Sequence, residues 1–337
     1  MTAVLLAACT SHGGSARRVT AHPRPATPNV TTPRAATTPT QVQQGARLPG
    51  LHLPGTGRVA GAVAVSRRDD SDLAVVTRRR PAGTGQGPIT VVAFNPVHTR
   101  LVLHAGSSEP TPTGLVWRHG AVIRPVERRA LVAVLNGGFK LKDSRGGWQS
   151  EGRTIAPLRS GAASVVIYAD GGTDIGAWGR DVPQAGRRVS SVRQNLELLI
   201  DRGRPQRTQP VSQPVLNHWW GHAFREQHLI SRSALGVTAQ GALVWAAGTR
   251  ITVAALAGAL REHGVVRALE LDVNAPLVRG FLFVDATHVS VTAGSRRVTA
   301  ALPLVTGQTQ TVVRPPRAQH CTYVDACTRD YFTVLTR

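Results

Sequence analysis

Lysine is almost missing from this chain. Of its 40 basic residues only Lys140 and Lys142 are lysine, and the rest are arginine. Heavy Arg, Ala and Gly use with so little Lys fits a high-GC bacterial coding bias, which makes part of the positive charge compositional. Acidic residues are also few, 19 in 337, so the net charge is +21. Aromatics make up 4% of the chain, and the core must therefore rest on Val, Leu and Ala. No segment approaches the ~20 consecutive apolar residues of a membrane span. There is no Gly-x-Ser-x-Gly elbow, no P-loop and no Gly-x-Gly-x-x-Gly in a βαβ setting. Serine hydrolase, kinase and dehydrogenase chemistry thus lack their defining loops. A basic surface attracts polyanions. Zinc-finger spacing, an RNP-like aromatic strand and an Arg-loaded helix face are all absent, so nucleic acid is not the expected partner. An anionic glycan or cell-wall polymer is.

Two further shortages organise the chain. Large apolar residues are scarce over 10–58, which is rich in Pro, Thr, Ala and Arg and cannot bury enough surface to fold. It reads as an extended tether. Ahead of it, Leu6-Ala7-Ala8-Cys9 resembles a bacterial lipobox, with the n-region and most of the apolar h-region missing. Residues 1–9 are therefore expected to be a truncated lipoprotein signal remnant. Cys9 is the expected lipid site, and the protein is expected on the outer side of the cell membrane, held by that anchor alone. With Cys9 set aside, Cys321 and Cys327 form an even pair in a polar C-terminal loop, which in an exported protein favours a disulfide. Two cysteines without further spaced ligands are too few for a metal site.

The folded part is expected over 59–337. Strands are predicted at 59–65, 73–77, 89–94, 101–104 and 331–335, with hairpins at 115–117/121–123, 163–169/173–178 and 281–285/288–292. Residues 190–199 suggest a short helix with Val192, Leu196 and Leu199 on one face. The clearest helix is 253–263, with Thr252 as N-cap and Gly264 at C′. Many strands, few helices and no alternating βαβ series predict an α+β fold, mainly β-sheet with one or two packed helices.

Three segments carry chemistry. The apolar run 131–135 reads as a strand buried on both faces and leads into Asn136-Gly137-Gly138-Phe139. The glycines allow close backbone approach, and the Asn can donate and accept. Arg232-Ser-Ala-Leu-Gly236 leads through Gln240-Gly241 into the apolar run 242–247, a hairpin with Arg at one mouth. In the strand ending 270–272, Glu270 and Asp272 share a face because side chains alternate.

In this order the segments resemble the phosphodiester glycosidase family, which includes N-acetylglucosamine-1-phosphodiester alpha-N-acetylglucosaminidases and bacterial exopolysaccharide homologues. Its signatures are an Asn-Gly-Gly-Phe-type motif, an Arg-x-Ala-x-Gly-x-x-x-x-Gly hairpin and a Leu-Asp-Gly-Gly-x-Ser-like motif. They correspond here to Asn136–Phe139, Arg232–Gly241 and Leu271 onward, within a resemblance spanning roughly 85–337. The third motif departs from the pattern, with Val273-Asn274-Ala275-Pro276 in place of the glycines and serine.

The resemblance implies a hydrolase acting at a sugar-1-phosphodiester in an envelope or exopolysaccharide glycan, without an organic cofactor; a divalent ion stays open. Asp272 would support an oxocarbenium-like transition state. Arg232 would neutralise the departing phosphate. Asn136 would hold a sugar hydroxyl or phosphate oxygen on the Gly137–Gly138 loop, with Asn274 nearby. Glu151 is a second candidate acid or base. Glu270 is another, and equally a partner for an arginine. Trp219 and Trp220 could form a sugar-stacking platform or a hydrophobic plug. His218 and His222 have i, i+4 spacing but lack the His-Glu-x-x-His pattern, so no metal is expected there. The competing expectation is a non-enzymatic basic envelope lipoprotein that binds an anionic wall polymer.

Overall fold

A computed structural model describes residues 63–67, 72–83, 85–110, 114–208, 219–220, 228–282, 289–291, 302–303 and 327–337. All of them belong to one compact unit, Gln44–Arg337. The fold is mostly antiparallel β-sheet with three helices among the described residues, an α+β architecture. In chain order the elements are β1 (Val63–Arg67), β2 (Asp72–Arg79), β3 (Ile89–Phe94), β4 (Thr99–His104), α1 (Pro125–Arg128), β5 (Leu131–Asn136), α2 (Leu141–Ser144), β6 (Trp148–Ser150) and β7 (Arg153–Ala156). There follow β8 (Ala163–Tyr168), β9 (Thr173–Ala177), β10 (Val189–Gln194), β11 (Leu198–Asp201), β12 (Arg204–Pro205), β13 (Ile230–Thr238) and β14 (Leu243–Ile251). The chain ends with α3 (Val253–Glu262), β15 (Val265–Glu270), β16 (Gly280–Leu282), β17 (Val289–Val291), β18 (Leu302–Pro303) and β19 (Tyr331–Thr336).

They form three sheets, of order β12-β11-β15-β13-β14-β3-β2-β1-β17, β7-β6-β10-β8-β9 and β18-β16-β5-β19-β4. One core joins all three. Leu235, Trp245 and Leu269 of the first sheet, Val165 and Ile175 of the second, and Leu135 and Phe332 of the third belong to a single apolar cluster. The opposite face of the large sheet is covered by α3, which lays Leu256 and Leu260 against Val91, Ala246 and Ala268. That helix starts and stops as the sequence predicts. Thr252 Oγ1 accepts the Ala255 N–H at 3.1 Å, and Gly264 takes the left-handed conformation at φ +75°. The 163–177 hairpin forms as β8 and β9.

Three local expectations are corrected. Residues 190–199 are not helical but lie in β10 and β11, with Leu196 at φ +52° between them. The apparent stripe divides between two cores, since Val192 packs with Val166 and Tyr168 while Leu199 packs beneath α3. Residues 115–123 form turns and bends rather than a hairpin. The Glu151 carboxylate takes the Arg118 and His119 backbone N–H groups at 2.9 and 2.8 Å, which occupies donors a strand would need. The 281–292 stretch is not one hairpin either. β16 pairs with β5 and β18, whereas β17 pairs with β1.

Candidate active site

The buried strand β5 delivers Asn136 to a point where the three sheets meet. Asn136 Nδ2 donates to Ser233 Oγ on β13 at 2.9 Å, and Ser233 Oγ donates to the Asp272 carbonyl at 3.0 Å. The Asp272 N–H in turn donates to the Gly137 carbonyl at 3.0 Å, tying the end of β15 to the loop after β5. Gly137 has to be glycine. A Cβ there would overlap the backbone carbonyl of Asp330. The second sheet contributes the end of β10, where Asn195 Oδ1 accepts the Phe139 N–H at 3.1 Å and Asn195 Nδ2 donates to the Glu270 carbonyl at 2.5 Å.

Beneath this loop lies a buried ion pair. Arg193 Nε donates to Asp330 Oδ2 at 2.6 Å, and its two terminal nitrogens donate to the carbonyls of Gln194 and Phe139 at 2.7 and 2.5 Å. Its guanidinium lies against Gly138, where any side chain would crowd it. Beside Asp330, Arg329 reaches the opposite way. Arg329 Nη1 lies 3.1 Å from Asp272 Oδ2, and Nη2 donates to the Gly138 carbonyl at 2.9 Å.

Asp272 is therefore the carboxylate at the centre of the junction. It is 6% exposed, and its Oδ1 accepts the Asn274 N–H at 2.8 Å. Burial pushes its carboxyl above the usual range, against the opposing pull of Arg329 and the Asn274 amide. Asp272 and Arg329 line a cleft of about 1270 Å³, together with Phe139, Asn274 and Trp219. Eight cationic side chains and four carboxylates are among its lining residues. Behind it, Asp272, Arg329, Asn136 and Gly138 border a second space of about 20 Å³, on the order of one water. Asn136 Oδ1 and Arg329 Nε are buried at this junction with no hydrogen-bond partner among the described residues.

Not every expected residue arrives here. Arg232 is adjacent to Ser233 and points to the other face of β13. It is 2% exposed, donates to Glu270 Oε1 at 2.6 Å and does not line the cleft. The cation beside Asp272 is Arg329 instead. Glu270 is fully buried, and desolvation pushes its carboxyl up to about 7 despite Arg232. It is the arginine partner foreseen as its structural alternative. Glu151 sits at the two-residue turn between β6 and β7, with φ +53°, and anchors the 118–119 backbone away from the cleft. Trp219 lines the cleft with the Arg207 guanidinium 4.5 Å from its ring centroid. Trp220 is buried, with its indole N–H on the Arg207 carbonyl at 3.1 Å, so the two tryptophans do not form one platform. Cys327 is buried, whereas Cys9, Cys321, His218 and His222 lie outside the described residues.

Among the described residues His104, His119 and Glu127 form one group with metal-ligating atoms within 4.8 Å of one another. It does not line the cleft. His104 already bonds Gly120 O and Thr333 Oγ1 at 3.2 and 3.0 Å, and His119 Nδ1 lies 2.7 Å from Glu127. Both ring nitrogens of His104 are thus committed to protein partners.

Sequence reasoning missed Arg193, Asn195, Ser233, Arg329 and Asp330. Ser233 lay inside a recognised motif. Arg193-Gln194-Asn195 is a polar run between Val192 and Leu196, a signal that the helical reading of 190–199 hides. Arg329-Asp330 directly precedes the final strand, where paired charges could have drawn notice.

No family profile matches the chain, and no curated protein matches it. Among solved structures, the catalytic domain of zebrafish N-acetylglucosamine-1-phosphodiester alpha-N-acetylglucosaminidase, auto-inhibited by its pro-peptide, is 15% identical with a TM-score of 0.41. That match covers 72% of this chain and 85% of the zebrafish chain. A hypothetical protein from Synechocystis is also 15% identical, with a TM-score of 0.41, over 82% of this chain and 65% of that one. These are weak fold-level likenesses.

Proposed function

We propose that this protein is an exported hydrolase that cleaves a sugar-1-phosphodiester in an envelope or exopolysaccharide glycan. The observation that carries the reading is the Asp272–Arg329 pair, an acid and a guanidinium 3.1 Å apart at the wall of a large basic cleft. The motif resemblance supplies the substrate class. In the reaction a water oxygen bonds to the anomeric carbon as the bond from that carbon to the phosphate oxygen breaks. The phosphate leaves as a monoester, and the proton lost by water passes to solvent or to a carboxylate. Asp272 opposes the positive charge building at the anomeric centre. Arg329 follows the charge that moves onto the leaving phosphate, the role first expected of Arg232. Phosphate is a good leaving group, so a strong general acid is not required. Cys9 lipidation and a Cys321–Cys327 disulfide belong to the same proposal of an envelope location.

The test is hydrolysis of N-acetylglucosamine and mannose 1-phosphodiesters in ¹⁸O-water. The label should enter the reducing sugar and not the phosphate. Asp272→Asn should reduce kcat by about 10²-fold or more, the scale of one lost electrostatic stabiliser. Full turnover by a folded Asp272→Asn protein, or label in the phosphate, would sink the assignment. The density of cations in the cleft favours a second reading, a binding protein for an anionic polymer. Salt-sensitive binding with no turnover of any diester would select it.

A further inference from the structure

The cleft carries more positive charge than one phosphodiester can use. Of its cations, Arg329 is paired with Asp272, Arg180 with Asp181 and Asp201, and Arg207 with Glu197. Lys140, Lys142, Arg145, Arg159 and Arg250 line it with no carboxylate within ion-pair distance among the described residues. The Arg159 guanidinium donates to the Arg145 backbone carbonyl at 2.8 Å, a neutral acceptor that leaves its charge uncompensated. Like charges gathered in a cleft repel one another, a cost that a bound polyanion removes.

The two lysines sharpen the point. A chain that uses arginine for every other basic position places both of its lysines here. They flank Leu141 at the start of α2, directly after the Asn-Gly-Gly-Phe loop, and their side chains are exposed. An ammonium on a flexible stem is a mobile point charge. It follows a phosphate that changes position, whereas a guanidinium fork holds one orientation. At another part of the lining, Arg250 precedes Ile251, which pairs with Ile230. Ile230 lies three residues along β13 from Ser233, about 10 Å in an extended strand. The unpaired charge is thus spread along the cleft instead of being focused beside Asp272.

We infer that the substrate is a chain of repeated phosphodiesters rather than a single sugar phosphate. One phosphate sits at Arg329 while neighbouring phosphates are held by Lys140, Lys142 and Arg145 and, further along, by Arg250. This rests on the proposed hydrolase reading for the reaction but not for the binding. The recognised chemistry is a flexible linear polyanion with phosphates separated by sugars, and the cleft reads its charge spacing.

The experiment uses the full chain with N-acetylglucosamine 1-phosphate oligomers of one, two, four and eight phosphodiesters. Turnover is followed by reducing-sugar release, and binding is followed with Asp272→Asn at several salt concentrations. The expected result is a rise in kcat/KM of about tenfold or more from one to four repeats. A log–log salt slope that steepens with length, as counterion release from a linear polyanion requires, should accompany it. Lys140→Gln combined with Lys142→Gln should reduce the preference for four repeats over one to within about twofold. Turnover of the single diester with no length dependence would overturn the inference and leave the hydrolase reading standing. Length-dependent binding that the double substitution weakens, without turnover of any oligomer, would support the inference and remove the hydrolase reading. Equal affinity for single-stranded DNA of matched charge would overturn the substrate class.

Discussion

Arg193→Met tests what holds the Asn-Gly-Gly loop in place. Arg193 and Asp330 side chains are 1% and 0% exposed, and the guanidinium also serves the carbonyls of Phe139 and Gln194. Methionine fills much of the same space without a charge. It leaves the Asp330 carboxylate buried without this partner and removes the guanidinium donor from each carbonyl. Breaking a buried ion pair by removing one partner costs about 3–5 kcal/mol. The two carbonyls add to this at about 1–3 kcal/mol each where water cannot reach them. The contributions share one environment and do not simply sum, so a loss of at least about 3 kcal/mol is expected, a large part of the ~5–15 kcal/mol typical of a folded protein. Equilibrium urea unfolding, followed by tryptophan fluorescence, measures it. Pairing the substitution with Asp330→Leu removes the stranded charge but not the carbonyl penalty. The double variant should therefore recover only part of the loss. A single-variant loss below about 1 kcal/mol, or full recovery in the double variant, would refute the claim that this guanidinium clamps the loop.

Gly137→Ala should cost about 1–3 kcal/mol in stability, because the new methyl meets Asp330 backbone rather than a movable side chain. Differential scanning calorimetry reads the loss. Thr252→Ala removes the acceptor for the Ala255 N–H and should cost about 0.5–2 kcal/mol by urea unfolding, without altering the cleft. His104 gives a pH signature. Burial, with His119 adding to it, lowers its pKa from 6.5 to about 4, so the unfolded chain takes up the proton first as pH falls. Stability from this group is fully present above pH 6.5 and falls toward pH 4 by about 3 kcal/mol, then levels off. The unfolding midpoint of His104→Gln, compared with the parent from pH 7 to 4, should lack that component of the slope.

The parts of this molecule that were legible from sequence are those where one short segment determines its own environment. The apolar run 131–135 could satisfy its pattern only as a buried strand, and Thr252 with Gly264 framed a helix whose apolar stripe needed a sheet beneath it. Residues 190–199 failed because Val192, Leu196 and Leu199 fit a helical face equally well. What decided the outcome was two separate cores and a left-handed Leu196, neither of them local. The site failed in the same way at one position. Alternation along β13 required Arg232 and Ser233 to face opposite sides, but only the tertiary fold showed that Asn136 waits on the Ser233 side and Glu270 on the other. The arginine at the mouth of the motif is therefore not the cation of the site. The guanidinium beside Asp272 comes instead from residue 329, outside all three motifs, where the start of β19 returns along β5. Short motifs carried the loop backbone and the carboxylate, because glycine and aspartate perform those roles wherever the chain turns. A counter-charge can come from any strand that reaches the same point, and in a chain with 38 arginines composition does not single one out.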